Sequence, residues 1–107
     1  MKTIVIRLEN KQVLFDEVPM YDKSDVTLTC IVKTQDSNGK VIWRFDDIPT
    51  GCYFGKTFSS LKEAREFRAS TKYAIEYMSK LQELRIKSDF YDRLVIERNE
   101  YLERKRK

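Results

Sequence analysis

The sequence contains no histidine. Histidine is the usual general base near neutral pH and the common partner of serine and cysteine nucleophiles in hydrolases. Its absence excludes those arrangements and restricts acid–base chemistry to Asp, Glu, Lys, Tyr and Arg side chains. We therefore predict that the chain is not an enzyme and carries no cofactor.

Cysteine is also scarce, because the chain holds only Cys30 and Cys52. Neither has a second Cys or a His at metal-ligand spacing, so we predict two reduced thiols and no metal site. The first residues, MKTIVIRLENK, are too short and too charged for a signal peptide, and no run approaches the roughly 20 apolar residues of a transmembrane helix. These features predict a cytoplasmic protein without a membrane partner.

Glycine and proline are missing from the second half of the chain, since the glycines (39, 51, 55) and prolines (19, 49) all fall within the first 55 residues. Residues 1–55 therefore read as a β-rich half, residues 56–103 as a helical half and residues 104–107 as a basic tail. The tail accounts for the whole formal charge of +4. We predict one α+β domain over residues 1–107, with an N-terminal antiparallel sheet followed by helices.

The β-rich half divides into four or five strands that form two hairpins, with predicted ranges 3–8, 12–18, 26–34, 40–45 and, less distinctly, 52–54. Asn38-Gly39 is the strongest hairpin signal, because both residues tolerate the positive φ of a type I′ turn. Asn10-Lys11 is a weaker version of the same signal. Pro19 and Pro49 are each expected to close a strand, since proline has no amide to donate.

Helical periodicity begins at Ser60, where Ser60-Leu61-Lys62-Glu63 fits a capping box. Near residues 88–89 the apolar stripe loses register, so Ser88 or Asp89 could cap a second helix, although one continuous helix also fits. In either case the helical half offers a near-heptad apolar seam that predicts a homodimer. The predicted interface residues are Tyr77, Leu81, Leu84, Tyr91, Val95 and Leu102.

Cationic and aromatic side chains cluster around the junction of the two halves. Helix starts attract anions, and flat rings beside cations stack bases and neutralise phosphates. The predicted ligand-binding residues are Arg44, Tyr53, Lys56, Lys62, Arg65, Arg68 and Lys72. The leading hypothesis is a noncatalytic binding protein that captures a phosphate-bearing ligand, either a nucleotide or single-stranded nucleic acid.

A second hypothesis is a protein-interaction module, an inhibitor or adaptor of the kind that phage or mobile elements encode, which acts through its helices or a sheet edge. Two apparent catalytic motifs favour neither hypothesis. The segment from Gly51 to Thr57 has three residues between its glycines, whereas a phosphate-binding loop needs four. Asp46 and Asp47 are neighbours on a predicted strand, so their carboxylates point to opposite faces and do not form a dyad.

Overall fold

The computed structural model describes residues 1–87 and 89–106. Five strands form one antiparallel sheet in the order β1-β2-β3-β4-β5, so that each strand pairs with the next in sequence. Their bounds are β1 Lys2–Glu9, β2 Gln12–Ser24, β3 Thr29–Gln35, β4 Val41–Asp47 and β5 Cys52–Phe58. Helices follow the sheet, which confirms the predicted α+β class.

The two predicted hairpin turns differ in type. Asn10 and Lys11 have φ of 51° and 64°, as a type I′ turn requires. In the β3–β4 turn only Gly39 has positive φ, and its amide donates to the Asp36 carbonyl at 3.0 Å. The Asp36 carboxylate also accepts from the amides of Asn38 and Lys40. The hairpin is present, but the type I′ prediction is wrong here, because Asp36 stabilises a longer loop that ends in left-handed Gly39.

Pro19 does not close β2, which continues to Ser24. Pro19 lies opposite Lys2 at the end of the pairing with β1, and Met20 opposite Val32 begins the pairing with β3. Proline is tolerated there because the strand is changing partners. Pro49 behaves as predicted, since β4 ends two residues earlier at Asp47.

The helical half contains α1 Leu61–Arg68, a π-helical turn Tyr73–Tyr77 that runs into α2 Met78–Lys87, and α3 Asp89–Arg106. The predicted start at Ser60 is confirmed, because its side chain accepts from the Glu63 amide at 3.1 Å. The Glu63 carboxylate turns back to Ser59. A break after α1 was not predicted; there the Ser70 hydroxyl accepts from the Tyr73 amide at 3.2 Å and starts a new helical segment.

The end of the helical half differs from the predicted basic tail. The last turn of α3 includes residues 104–106, which the sequence analysis assigned to that tail. Lys107, and the predicted cap Ser88, lie outside the described residues. Within the described residues no helix is long and apolar enough to cross a bilayer.

The helices cover one face of the sheet. On this face Phe45 is fully buried among Phe58, Phe67 and Tyr73, so α1 and the π-helical turn pack against β3 to β5. Tyr101 of α3 stacks on Phe15 of β2 with ring centroids 5.0 Å apart. On the outer face of the sheet, α1 thus covers an aromatic layer, and α3 contacts β1 and β2.

The sheet curls around its opposite face, which we call the inner face. Here Val5, Val18, Met20, Cys30 and Val32 form one buried apolar cluster, with Ile48 packed against it. The curl brings β1 to the β4–β5 turn, where the Ile6 amide donates to the Gly51 carbonyl at 3.0 Å. A Cβ on Gly51 would lie 2.6 Å from the Ile4 carbonyl oxygen, so only glycine permits this approach.

Candidate functional site

A cleft of about 600 Å³ opens at the end of the inner face that carries the β1–β2 and β3–β4 turns. Its walls are the edge of β1 over residues 5–8, the end of β3 with its turn, and β5. The side chains of Arg44 and Tyr53 lie in it together with Arg7, Asp16, Ile42 and Cys52. This volume is within the range of small-molecule sites, and Val5 of the apolar inner-face cluster is among the lining residues.

The cleft lies between β1 and β5, next to the point where β1 contacts the β4–β5 turn at Gly51. The β4–β5 register places Arg44 opposite Thr57 and Phe45 opposite Phe54, which leaves Gly55 and Lys56 as a bulge. Bulges bend a strand and increase its twist. The bulge therefore occurs in the strand that forms one wall of the opening.

Arg44 is the central cation of the cleft. Its guanidinium lies over the Tyr53 ring, with 4.9 Å from Cζ to the ring centroid, and its side chain is only 13% exposed. Its Nε is buried and has no hydrogen-bond partner among the described residues. The nearest carboxylate oxygen is Asp46 Oδ1 at 3.7 Å, which is too long for a hydrogen bond.

Asp46 lies below Arg44 on the inner face and is fully buried. Neither carboxylate oxygen has a hydrogen-bond partner within the described chain. Burial raises the pKa of Asp46 well above its usual value, and the neighbouring Asp47 raises it further, while Arg44 and Arg98 oppose the shift. Arg44 and Asp46 thus face each other at 3.7 Å with no hydrogen bond between them.

The other arginine of the cleft is neutralised. Arg7 Nε donates to Asp16 Oδ2 at 2.7 Å, and its guanidinium also contacts Glu9. The Asp16 carboxylate raises the pKa of Arg7 by hydrogen bonding and charge. The cleft therefore holds a hydrogen-bonded arginine on β1 and, on β4, an arginine whose nearest carboxylate makes no hydrogen bond to it.

Asp47 serves a different purpose on the outer face. Its carboxylate accepts from the Thr50 hydroxyl at 2.6 Å, from Arg85 Nε at 2.9 Å and from the Tyr91 hydroxyl at 3.2 Å. The two adjacent carboxylates diverge as predicted. Asp47 holds α2 and α3 to the sheet, whereas Asp46 lies buried on the inner face beside Arg44.

The structure divides the predicted ligand-binding residues among three places. Arg44 and Tyr53 line the cleft. Arg65 instead binds the Asp22 carboxylate through two bonds of 2.7 and 3.0 Å. Arg68 donates to the Asp22 carbonyl and to the Thr29 hydroxyl, so both arginines clamp α1 to the sheet.

The remaining predicted cations lie outside the cleft. Lys56 Nζ is 4.6 Å from the Phe67 ring centroid, and Lys62 and Lys72 are exposed. The start of α1 already holds an anion, because the Glu63 carboxylate accepts from the Ser59 amide and hydroxyl. The structure therefore does not assemble the predicted site around the helix start.

The predicted dimer residues are mostly used within the chain. Leu81 and Tyr91 are 1% and 8% exposed, and the Tyr77 ring packs against Phe67 at 4.8 Å. Val95 and Leu102 are half-buried, and Leu84 is 38% exposed. The helices still expose other apolar side chains, namely Ile75, Ile86, Phe90 and Ile96.

Sequence reasoning missed Arg7, which lines the cleft, and Asp46, which lies beside Arg44 beneath it. A signal for Asp46 was present, because residues two apart on a strand share a face and Asp46 follows Arg44 at that spacing. No local pattern brings Arg7 near Arg44, since the curl of the sheet at Gly51 determines that proximity. The cleft is thus a product of tertiary structure.

The titratable groups of the cleft do not resemble an activated nucleophile or a metal site. Burial raises the pKa of the Cys52 thiol and raises that of Cys30 to about 12. In the part of the chain that the structure describes, no group of three or more Cys, Asp or Glu side chains could hold a metal ion. The chain matches no protein-family model, no curated protein and no solved structure.

Proposed function

We propose that this chain is a small noncatalytic binding protein that captures an anionic ligand in the cleft of the inner face. The observation that carries this proposal is Arg44, a buried cation whose Nε lacks a hydrogen-bond partner in the described structure. A buried donor without a hydrogen-bond partner costs free energy. A ligand that accepts a hydrogen bond from this donor removes that cost. Arg44 would anchor the anionic group, and Tyr53, which is 56% exposed, would stack against a flat part of the ligand.

The charge of the cleft limits the ligand. Asp16 and Glu9 pair with Arg7, so Arg44 is the one guanidinium among the described lining residues whose Nε lacks a hydrogen-bond partner. One guanidinium favours one anionic group. Among phosphate-bearing ligands the cleft thus favours a nucleoside monophosphate over a polyphosphate or a long nucleic-acid strand.

The test is titration of the protein with nucleoside monophosphates at low and high salt, followed by amide chemical shifts. We expect shifts confined to residues around Arg44, Tyr53 and the β3–β4 turn. Arg44→Gln should weaken binding by at least about tenfold, because a hydrogen bond to a charged group contributes roughly 1.5–3 kcal/mol.

Lys11→Gln is the matched control, since Lys11 is an exposed cation in the neighbouring β1–β2 turn and does not line the cleft. Its affinity should equal that of the wild type. Equal binding by Arg44→Gln, or no shifts with any monophosphate at low salt, would reject the cleft as an anion site.

The exposed apolar side chains on the helices favour a second candidate function. Ile86 and Phe90 are 82% and 58% exposed and lie on either side of the α2–α3 junction. Exposed apolar patches are typical of protein interfaces. We propose that this surface mediates homodimerisation or contact with another protein, and the two free thiols support the proposed cytoplasmic location.

A further inference from the structure

A second pocket, of about 320 Å³, lies at the opposite end of the inner face from the cleft. It is formed by the start of β1, the end of β2, the β4–β5 turn and α3. Met20, Ile48 and Leu102 contribute apolar surface, and Lys2, Lys23 and Arg98 contribute cations. Glu17 is the one carboxylate among its lining residues.

Arg98 is the residue that distinguishes this pocket. It reaches from α3 to β1, where Nε donates to the Ile4 carbonyl at 3.3 Å and Nη2 approaches the Thr3 hydroxyl at 3.5 Å. These are long contacts to neutral groups. The side chain is half-buried, and the structure places no described carboxylate within ion-pair distance of it.

The other charged side chains that line the pocket pair with groups other than Arg98. Glu17 is shared by Lys105 at 2.7 Å and Lys2 at 3.7 Å. Lys23 pairs with the exposed Asp25 at 3.3 Å, outside the pocket lining. Burial lowers the pKa of Arg98 from its ordinary value, while the charges of Asp46 and Asp47, which lie beyond ion-pair distance, oppose the shift.

We propose that this pocket binds a monocarboxylate with an unbranched apolar chain, the carboxylate pairing with Arg98 and the chain lying on Met20, Ile48 and Leu102. A half-buried guanidinium is stabilised by a planar carboxylate that accepts two parallel hydrogen bonds. The Glu17 carboxylate disfavours a dianion at the same wall. The apolar surface adds affinity in proportion to the chain area that it removes from water.

This site is independent of the proposed cleft, since the two pockets share no lining residue. Their failures are distinguishable, because chemical shifts near Arg98 and Met20 report this pocket and shifts near Arg44 and Tyr53 report the cleft. Binding at either site without the other is therefore directly visible.

The experiment compares octanoate, octanol and inorganic phosphate by calorimetry and by methyl and amide chemical shifts. We expect octanoate to bind and to shift Met20, Ile48 and Leu102. Octanol, which lacks the charge, and phosphate, which lacks the chain, should each bind at least about tenfold more weakly. The proposal would be overturned if octanol or phosphate bound as tightly as octanoate. It would also be overturned if octanoate shifted the signals of residues outside this pocket.

Variants then separate binding from a structural role of Arg98. Arg98→Gln should weaken octanoate binding at least about tenfold, because it removes the charge that pairs with the carboxylate, and the unliganded variant should keep the wild-type circular dichroism spectrum. Arg98→Lys should restore part of the affinity. The control Arg93→Gln removes an exposed α3 cation outside the pocket and should leave affinity unchanged.

A lower unliganded melting temperature of Arg98→Gln together with unchanged octanoate affinity would show that Arg98 is structural and would reject the proposal. Lys23→Gln provides a second variant with no buried contact to lose. It should reduce octanoate affinity by less than Arg98→Gln does, because an exposed charge contributes less than a partly buried one. A larger loss from Lys23→Gln would place the carboxylate at the rim and contradict the assignment to Arg98.

Discussion

Two adjacent aspartates have opposite effects on this protein. Asp47 is surrounded by donors and fastens the helices to the sheet, whereas Asp46 is buried without a hydrogen-bond partner in the described structure. A buried carboxylate that lacks a hydrogen-bond partner, as Asp46 does, destabilises a fold. Natural proteins keep such residues mainly where function requires them.

We expect Asp46→Asn to stabilise the protein at pH 7 and to have no such effect at pH 3. The pKa of Asp46 is raised in the folded state from an ordinary 3.8, so the folded chain holds this proton more tightly than the unfolded chain does. That contribution to stability is complete below about pH 4 and is lost as the pH rises toward the folded value. Urea unfolding at both pH values measures it.

The same substitution also tests whether ligand binding needs the charge of Asp46. An asparagine matches the shape of the protonated acid, so Asp46→Asn should retain monophosphate binding in the cleft. A variant that is less stable than the wild type at pH 7 would show that the Asp46 carboxylate is stabilised by the fold. Arg44 would then be the group that stabilises the Asp46 carboxylate, and its charge would not be available to a ligand.

Asp47→Asn should lower the free energy of unfolding by about 3 kcal/mol or more, because it leaves Arg85 without its buried partner. Chemical denaturation at pH 7 measures this loss. Asp25→Asn is the control, since Asp25 forms an exposed pair with Lys23 and should cost no more than about 1 kcal/mol. Similar effects of the two substitutions would contradict the assigned role of Asp47.

At the scale of elements, glycines determine where strands approach other parts of the fold. Gly55 and Gly39 have nearly the same positive φ, +83° and +81°. A Cβ on Gly55 would fall on the Tyr77 ring, whereas a Cβ on Gly39 would meet nothing within 4 Å. An alanine would therefore have the same backbone strain at both positions, but only at position 55 would its Cβ collide with another side chain.

We expect Gly39→Ala to cost about 1–2 kcal/mol, the strain of a left-handed non-glycine residue. Gly55→Ala should cost more, because the Tyr77 ring must leave its packing against Phe45 and Phe67. Thermal unfolding of both variants gives the comparison. Equal losses would mean that Tyr77 moves aside without cost.

The sequence was informative where structure depends on local chemistry. Strand alternation, the Asn10-Lys11 turn and the Ser60 cap all act over a few residues, and each was predicted. The break after α1 was missed because Ser70, unlike glycine or proline, also occurs inside helices. The continuation of β2 past Pro19 was missed because it depends on which strand is the partner at that point.

The candidate site was less predictable than the fold. Arg44 and Tyr53 were identified from the mixture of rings and cations, and they do lie together. Arg65 and Arg68 belong to the same mixture of rings and cations in the sequence. Both nevertheless donate hydrogen bonds to Asp22, which is more than 40 residues away. Long-range pairing decides which cation keeps a donor without a hydrogen-bond partner, so sequence composition alone does not determine it.

At the scale of the whole molecule, the exposed apolar side chains of the helices predict that two chains associate. If the exposed helix residues form the proposed interface, light scattering at tens of micromolar should give twice the chain mass of 12.8 kDa. Phe90→Glu should then yield the monomer mass, because it would bury a charge in the interface. Its melting temperature under dilute conditions should change little, since Phe90 is already exposed in the monomer.

Val26→Glu is the control for this surface, because Val26 is 94% exposed and lies in the β2–β3 turn. It should retain the dimer mass. A wild-type mass of 12.8 kDa at tens of micromolar, or equal dissociation by both substitutions, would reject the helical interface.

The strand order also determines the sequence of events by which the chain reaches this structure. Each strand pairs with its immediate neighbour in sequence, so the sheet can grow by successive local hairpins with small loop-closure costs. The contact of Arg98 with Ile4 instead joins residues 94 positions apart. Attachment of α3 to β1 should therefore be a late folding step, and the octanoate pocket would form only when it is complete. Amide hydrogens of α3 should exchange faster than those of β3, which lies in the centre of the sheet.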